Sequence, residues 1–289
     1  MLLDVPHLPT GVLDDLQRAD LDPSDLSGRD PEFIEQYGLP ICRWLSRSYF
    51  RASFEGLDNL PDPPFIAVAV HSGAPLLPDV WPMLAVWWER FPLRQPGYAL
   101  VHDAAFRVPL LRNVLIKLGA LRATPENAAR VLEAGGTVLI FPGGDVEAMR
   151  GFRSRHTVRF HGRTGVIRLA LEHGVPLVPV VNVGGHEVYI VLTSGRRLAN
   201  WTGLARVTRL KALPVIAGLP WGVWVTGMLP YLPLPARIDY KVGQPLVFPR
   251  APELAGHEPT LRQEAGRVQD MMQRMTWELA DRRRLPVLG

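Results

Sequence analysis

The 289-residue sequence contains a single cysteine, Cys42. One cysteine forms neither an intrachain disulfide nor a cysteine-based zinc site, so a disulfide framework is excluded and a reducing compartment is the simpler expectation. His71, His102 and His186 offer no close ligand pair, and we therefore expect no metal. The first thirty residues lack the basic start and apolar run of a secretory signal, which predicts a mature protein that begins near Met1.

Uninterrupted runs of about 18 apolar residues are also missing, so the sequence predicts no conventional membrane-spanning helix. The nearest segment, 215–234, is broken by prolines and glycines but contains tryptophan and tyrosine, which favour a lipid interface. Residues 81–88 are similarly rich in tryptophan. Both segments can belong to the core, although apolar substrates favour contact with a bilayer or an acyl chain.

Neither sign of charge is in large excess, because 32 Lys and Arg face 28 Asp and Glu for a net charge of +4. This balance does not indicate nucleic-acid binding, and it suits an anionic membrane surface equally well. The basic run 282–284 is expected to complement the dipole of a terminal helix or, alternatively, to contact lipid headgroups. We therefore expect no nucleic-acid partner, and the sequence indicates no oligomeric state.

Short apolar runs alternate with helical patterns along most of the chain. Residues 65–70, 137–141 and 176–182 read as strands, and Pro179 predicts an edge position or a bulge for the last of them. This alternation predicts an α/β fold with a largely parallel central sheet flanked by helices. Further strands are predicted at 51–55, 97–102 and 236–242, and helices at 31–50, 79–90, 108–118, 125–134, 164–173 and 260–284.

The chain length suits one substantial domain with short flanking elements. We predict an N-terminal helical segment over residues 1–50 and a main α/β domain over residues 51–250. A C-terminal helix within residues 251–289 is expected to pack on the same domain.

Polar clusters follow three predicted strands, at 71–79, 141–147 and 182–187. In open α/β sheets, ligands bind beyond the carboxyl ends of the strands. His71 leaves an apolar strand into a Ser-Gly turn and Asp79 stands at a helix start, so the carboxylate could orient the imidazole as a general base. The alternative is structural, because strand-end histidines often only form hydrogen bonds and an aspartate before a helix is commonly an N-cap.

Four ordered blocks resemble those of the glycerolipid acyltransferase superfamily. The third is similar to the Gly-Gly form found in the diacylglycerol and monoacylglycerol acyltransferase branch. Two departures are visible: Leu76 occupies the position where the family usually has its aspartate, and the third block lacks the common Glu-Gly-Thr-Arg sequence. The blocks are Phe65–His71 with Asp79, Leu118–Arg122, Phe141–Glu147 and Val175–Val181.

This resemblance implies an acyltransferase in which His71 acts as general base and Asp79 is its partner. It implies acyl-CoA or acyl-carrier protein as co-substrate, no bound cofactor, and a lipid hydroxyl as acceptor. It further implies peripheral contact with the inner face of the cell membrane and a cytoplasmic location.

Substrate contacts are predicted for nine residues in and around these blocks. The backbone amides of Gly143 and Gly144 could stabilise an oxyanion, or the two glycines could simply form a tight turn. Arginines nearby could bind donor phosphates or lipid headgroups, and the His186–Glu187 pair could position the acceptor or serve the structure. The predicted contacts are Ser72, Gly73, Arg122, Gly143, Gly144, Glu147, Arg150, His186 and Glu187.

The sequence lacks a Gly-x-Ser-x-Gly elbow and a plausible nucleophilic cysteine, which is consistent with direct transfer without an acyl-enzyme. Two alternatives remain. The longer gap between His71 and Asp79 suits a noncatalytic lipid-binding protein that keeps the fold. A thioester or ester hydrolase would use water as the acceptor.

Overall fold

The computed structural model describes residues 10–73, 77–193, 215–218, 222–225 and 232–289. Seven strands form the main sheet in the order β1-β10-β6-β2-β5-β3-β4, and β7, β8 and β9 form a small antiparallel sheet. The strands are Ser53–Glu55 (β1), Phe65–Ala69 (β2), Gly97–Val101 (β3), Ala120–Arg122 (β4), Thr137–Ile140 (β5), Leu177–Val183 (β6), Ile190–Thr193 (β7), Val215–Gly218 (β8), Gly222–Val225 (β9) and Asp239–Val242 (β10).

In the main sheet all neighbouring strands are parallel except β10 and β6. The predicted α/β fold with a largely parallel sheet is therefore confirmed.

Helices flank this sheet and also precede it, which confirms the predicted N-terminal helical segment. Two π-helical stretches, Ile34–Gly38 and Leu45–Tyr49, follow α2 and α3 and make residues 31–49 one continuous helical segment. None of the described helices is both long and apolar enough to cross a membrane. The α-helices are Thr10–Arg18 (α1), Pro31–Phe33 (α2), Leu39–Trp44 (α3), Val80–Arg90 (α4), Pro109–Lys117 (α5), Pro125–Glu133 (α6), Gly144–Ala148 (α7), Gly165–His173 (α8) and Glu258–Asp281 (α9).

Strand β2 lies at the centre of the sheet, and all five of its residues are buried. Because strand side chains alternate between faces, Ile66 and Val68 pack with the core that α6, α8 and α9 share, whereas Phe65 and Ala67 pack with the core that includes Met83 of α4. Burial on both faces explains why β2 is apolar throughout. The carboxyl end of this central strand delivers His71.

The prediction that Pro179 marks an edge position or a bulge was wrong. β6 lies between β10 and β2, and Pro179 pairs in register with Val68. Proline is tolerated here because the antiparallel ladder with β10 ends beside it: the Pro179 carbonyl accepts a hydrogen bond from the Gly243 N–H (2.8 Å), and no donor is required in return. An interior strand thus accommodates proline where its ladder stops.

The Trp- and Pro-rich segment 215–234 is described only in part. Residues 215–218 and 222–225 form β8 and β9, and residues 232–234 are also described. The remainder of that segment, and Leu76, lie outside the described residues.

Candidate active site

His71 and Asp79 meet at the carboxyl end of β2, although eight positions separate them in the chain. The distance between His71 Nδ1 and Asp79 Oδ2 is 2.8 Å. The His71 side chain keeps 14% of its surface exposed, whereas that of Asp79 is 0% exposed. Because a carboxylate only accepts hydrogen bonds, this contact places the proton on Nδ1 and leaves Nε2 to act as the base.

Asp79 stands at the N-cap position of α4, but its side chain makes no capping hydrogen bond to that helix. Its Oδ2 also accepts a hydrogen bond from the Ser72 N–H at 2.7 Å, and its Oδ1 has no hydrogen-bond partner among the described residues. The carboxylate is therefore turned towards the loop that carries His71. This contact differs from the N-cap alternative considered for an aspartate before a helix.

The charge of Asp79 decides the protonation behaviour of His71. Burial by itself lowers the pKa of His71, but the adjacent Asp79 carboxylate, through its charge and its hydrogen bond, and the more distant Glu147 raise the pKa above the ordinary 6.5. The positive charge of Arg150 lowers the pKa of His71. An imidazolium formed at this position is therefore stabilised, which is what a general base requires after it takes up a proton.

Glu147 anchors the turn at His71 from the side of β5. Its carboxylate is buried and accepts hydrogen bonds from the His71 N–H (3.0 Å), the Arg150 guanidinium (3.0 Å) and the Arg159 N–H (3.2 Å). Burial lowers the pKa of Arg150, while the charge of Glu147 opposes this effect. The structure places Glu147 and Arg150 beside the dyad. Their predicted substrate contacts stay predictions.

The Ser72–Gly73 turn packs directly against the loop after β6. A Cβ atom added to Gly185 would lie 1.9 Å from Ser72 Oγ, and one added to Gly73 would lie 2.6 Å from the Gly185 carbonyl oxygen. Gly73 also has a φ of +73°, which favours glycine. Ser72 Oγ donates to Asn182 Oδ1 at 2.6 Å. Ser72 and Gly73 thus make structural contacts, and their predicted substrate contacts stay predictions.

Gly143 and Gly144 follow β5 on the same edge of the sheet. The Gly144 N–H donates to the Phe141 carbonyl (3.1 Å) within a tight turn, whereas the Gly143 N–H has no hydrogen-bond partner among the described residues. The Phe141 ring lies over His71, with 4.5 Å between ring centroids. The Gly144 amide is therefore already used within the turn, and an oxyanion role for either glycine stays a prediction.

His186 and Glu187 belong to the loop after β6 that packs against the Ser72–Gly73 turn, and both are buried. Burial, reinforced by the charge of Arg150, holds the pKa of His186 well below its ordinary value, so this imidazole is neutral. Glu187 Oε2 accepts hydrogen bonds from the Arg283 guanidinium (2.6 Å) and from the Val287 N–H (2.7 Å). These contacts fix the loop; a role in positioning the acceptor stays a prediction.

Arg283 departs from the role expected for the basic run 282–284. Helix α9 ends at Asp281, and the Arg283 side chain is buried between the carboxylates of Glu187 and Asp239, each at 2.6 Å. It therefore ties the C-terminal residues to the sheet.

Arg122 lies at the end of β4, and β5 and β3 separate it from β2. Its guanidinium pairs with Asp103 at 3.1 Å, and both side chains are exposed. The structure therefore does not bring Arg122 to the dyad. Within the described residues, no group of three His, Cys, Asp or Glu side chains is arranged to hold a metal ion.

Two residues to which sequence reasoning gave no individual role complete the surroundings of the dyad: Asn182 and Tyr240. Asn182 begins a polar cluster that the strand-end pattern did indicate, but its partners Ser72 and Val70 are more than a hundred positions away. Tyr240 had no signal beyond its place in the predicted strand 236–242. Only the register of the strands reveals these contacts.

Fold and site together define an α/β protein with a candidate His–Asp dyad at the carboxyl edge of a mostly parallel sheet. The sequence profile of the diacylglycerol acyltransferase family matches residues 89–275, more than half of the chain. The chain belongs to this family, and the resemblance to glycerolipid acyltransferases is confirmed. The matched region begins after Asp79, so the assignment of the dyad depends on its geometry.

Three curated relatives show where the similarity lies. An uncharacterised protein of Mycobacterium tuberculosis is 29% identical over 224 residues, which cover 77% of this chain and 59% of the relative. Human diacylglycerol O-acyltransferase 2 is 31% identical over 104 residues (35% of this chain, 26% of that protein), and human 2-acylglycerol O-acyltransferase 3 is 26% identical over 167 residues (56% and 48%). The chain thus spans at most 59% of these relatives.

Among solved structures, the 1-acyl-sn-glycerophosphate acyltransferase PlsC from Thermotoga maritima has a similar fold. The TM-score is 0.52 at 18% sequence identity, and the alignment covers 95% of this chain and 90% of that chain. At this identity the match shows the fold alone.

Proposed function

We propose that this protein transfers a fatty acyl group from an acyl thioester, acyl-CoA or acyl-carrier protein, to a hydroxyl of a glycerolipid or lysophospholipid. The observation that carries the proposal is the 2.8 Å contact between His71 and the buried Asp79, with the imidazole partly exposed at the carboxyl edge of the sheet. Membership of the diacylglycerol acyltransferase family supports acyl transfer. The names of the relatives support mono- and diacylglycerols as acceptor classes.

The dyad suits direct transfer. His71 Nε2 takes the proton of the acceptor hydroxyl while the oxygen attacks the thioester carbonyl, and Asp79 stabilises the imidazolium that results. The tetrahedral oxyanion then collapses, the carbon–sulfur bond breaks, and the imidazolium returns its proton to the leaving thiolate. The products are an oxygen ester and a free thiol, and no acyl-enzyme forms.

The Gly143 N–H is a suitable donor to the oxyanion, because it has no hydrogen-bond partner among the described residues. One such donor is typically worth about 3–4 kcal/mol in the transition state. Arg150 is a candidate for the anionic part of a substrate, since its Nε is buried without a hydrogen-bond partner while another of its nitrogens holds Glu147.

Peripheral contact with the inner face of the cell membrane is part of this proposal. Val146 and Met149, on and just after α7, expose apolar side chains close to the glycine turn that follows β5. Exposed apolar groups beside a lipid-processing site suit contact with a bilayer surface. Sedimentation with anionic and neutral lipid vesicles measures this contact directly.

The decisive experiment incubates the purified chain with labelled acyl-CoA or acyl-carrier protein and a panel of lysophospholipids, monoacylglycerols and diacylglycerols. We expect an acceptor-dependent ester product that His71→Ala abolishes and the matched control His173→Ala, at the end of α8, retains. A fully active His71→Ala enzyme would reject the assigned base.

The same assay separates the two alternatives. Fatty acid release that does not depend on an acceptor would identify a thioester or ester hydrolase. Vesicle binding without turnover of any donor would identify a noncatalytic lipid-binding protein.

A further inference from the structure

We infer that Asn182 and Tyr240, which face each other across the antiparallel β6–β10 pair, are positioning residues that hold the two halves of the His71–Asp79 dyad together. The inference deepens the proposed function and rests on it for its catalytic consequence. Neither residue touches the reacting atoms. Tyr240 lies directly opposite Asn182 in the strand register. One pair of strands therefore carries both the residue that contacts the His71 turn and the residue that contacts Asp79.

Asn182 fixes the main chain on both sides of His71. Its Nδ2 donates to the Val70 carbonyl at 2.8 Å, and its Oδ1 accepts from Ser72 Oγ at 2.6 Å. Val70 and Ser72 are the residues immediately before and after His71. One buried amide therefore bridges the histidine position, and this bridge restricts the backbone from which the imidazole projects.

Tyr240 fixes the other half of the dyad. Its hydroxyl donates to the Asp79 carbonyl oxygen at 2.9 Å, and the side chain is fully buried. Its ring stacks on Phe54 with 4.5 Å between centroids and an interplanar angle of 9°. Because the ring is held on its face and the hydroxyl at its tip, Tyr240 sets where α4 begins and thus where the Asp79 carboxylate lies.

Such external supports matter because eight positions separate His71 from Asp79. A loop of this length does not by itself hold two side chains at hydrogen-bond distance, since its closure costs conformational entropy. The supports come instead from a strand pair in the sheet, and sites built on strands hold side chains more accurately than sites built on loops. Displacement of a catalytic group by about 1 Å can reduce the rate by about 100-fold.

The test compares Asn182→Ala and Tyr240→Phe with two matched controls that remove equivalent buried groups elsewhere. Asn113→Ala removes a buried amide that donates to the Leu16 and Ala19 carbonyls, and Tyr98→Phe removes a hydroxyl that donates to the Leu26 carbonyl. For each variant, NMR of labelled histidine measures the pKa of His71, whose resonance a His71→Gln variant identifies. Steady-state kinetics measure kcat and KM separately, and denaturant unfolding measures stability.

If the inference is right, both dyad-side variants lower the pKa of His71, because its contact with Asp79 weakens while burial remains. The value of kcat falls by about 10-fold to 100-fold, and KM changes by less than the kcat effect. The control variants lose comparable stability, but the pKa of His71 and kcat stay as in the wild type. Tyr240→Phe removes one oxygen atom and keeps the test valid even if Asn182→Ala does not fold.

An unchanged His71 pKa in a folded Tyr240→Phe protein would overturn the inference, as would equal pKa shifts in the controls. The NMR measurement requires no turnover, so it decides the positioning role even if wild-type protein transfers no acyl group. Failure of the proposed function and failure of this inference are therefore distinguishable.

Discussion

The Asp79 side chain has no exposed surface, and among the described residues its carboxylate accepts hydrogen bonds only from the turn that carries His71. A buried carboxylate without a positive partner is costly, so the fold favours the protonated form of His71 more than water would. The consequence is a pKa of His71 above 6.5. This residue pair thus sets the pH range in which the proposed base is neutral and able to act.

Asp79→Asn is expected to move the acidic limb of the pH–rate profile to lower pH. The base must be neutral, so wild-type kcat/KM is lost as the pH falls below the raised pKa of His71. Without the Asp79 charge, burial dominates and the pKa of His71 falls, while kcat drops by about 100-fold or more because the imidazolium loses its stabilising partner. Profiles of kcat/KM against pH measure both effects.

The matched control for that profile is Asp20→Asn, an exposed aspartate that pairs with Arg112. This substitution should leave both the acidic limb of the pH–rate profile and kcat unchanged. An Asp79→Asn profile that overlays the wild-type limb would contradict the assignment of Asp79.

Gly185→Ala is expected to destabilise the protein by about 1–3 kcal/mol, a typical cost of overpacking. The added Cβ would lie 1.9 Å from Ser72 Oγ, so the loop after β6 and the His71 turn would have to separate. Urea unfolding measures the loss, and kcat should fall as well. Gly165→Ala is the control, because nothing lies within 4 Å of its added Cβ; equal effects at the two glycines would refute the close contact.

At the scale of elements, the end of α9 is tied to the β10–β6 side of the sheet by a buried cation. Arg283 lies between Glu187 and Asp239, and Val287 donates its N–H to the same Glu187 carboxylate. Because Glu187 belongs to the loop that packs on the His71 turn, the C-terminal residues are coupled to the candidate site through two loops.

Arg283→Ala should lower the free energy of unfolding by about 1.5–3 kcal/mol, because two carboxylates each lose a charged hydrogen-bond donor. Arg155 (3.5 Å from Glu187) and Arg237 (2.8 Å from Asp239) remain beside them. The side chain is only 6% exposed, so solvent does not replace the lost contacts. Chemical denaturation measures this difference. The control variant is Arg267→Ala. The Arg267 side chain pairs with Glu264 but is 63% exposed, so its removal should change stability by less than about 1 kcal/mol. Similar losses in both variants would show that Arg283 is not a buried support.

At the scale of the whole molecule, two histidines, His156 and His186, are held neutral. Burial lowers the pKa of His156 to about 4, assisted by the charge of Arg155, and burial lowers the pKa of His186 well below 6.5. An unfolded chain binds protons at these positions at a higher pH than the folded chain does. Their contribution to stability is therefore complete above pH 6.5 and is lost as the pH falls towards 4.

We accordingly expect the unfolding temperature to fall between pH 6.5 and pH 4.5, and His156→Gln to reduce this slope. His71 acts in the opposite sense, since its raised pKa affects stability mainly above pH 6.5. Thermal unfolding at a series of pH values measures the slope, with His173→Gln as the control that should retain it. A His156→Gln slope identical to that of the wild type would contradict a half-buried histidine that is kept neutral.

Much of the architecture could be predicted because backbone periodicity is local. The apolar run at 65–70 indicates a doubly buried strand, and the polar residues that follow it must lie at the carboxyl edge of a parallel sheet. The position of His71 follows from this reasoning. The position of Pro179 inside the sheet could not be predicted in this way. Whether a proline can lie in an interior strand depends on where the neighbouring ladder ends.

Sequence alone determined the alternation of strands and helices, the strand-end location of His71 and the family resemblance, all of which depend on short-range patterns. Tertiary structure alone decided that Asp79 returns to within 2.8 Å of His71. It also decided that Tyr240 reaches Asp79 across 161 positions and Asn182 reaches Ser72 across 110. The physical reason is strand register, which brings distant residues together through the packing of the whole sheet and is not encoded in any local pattern.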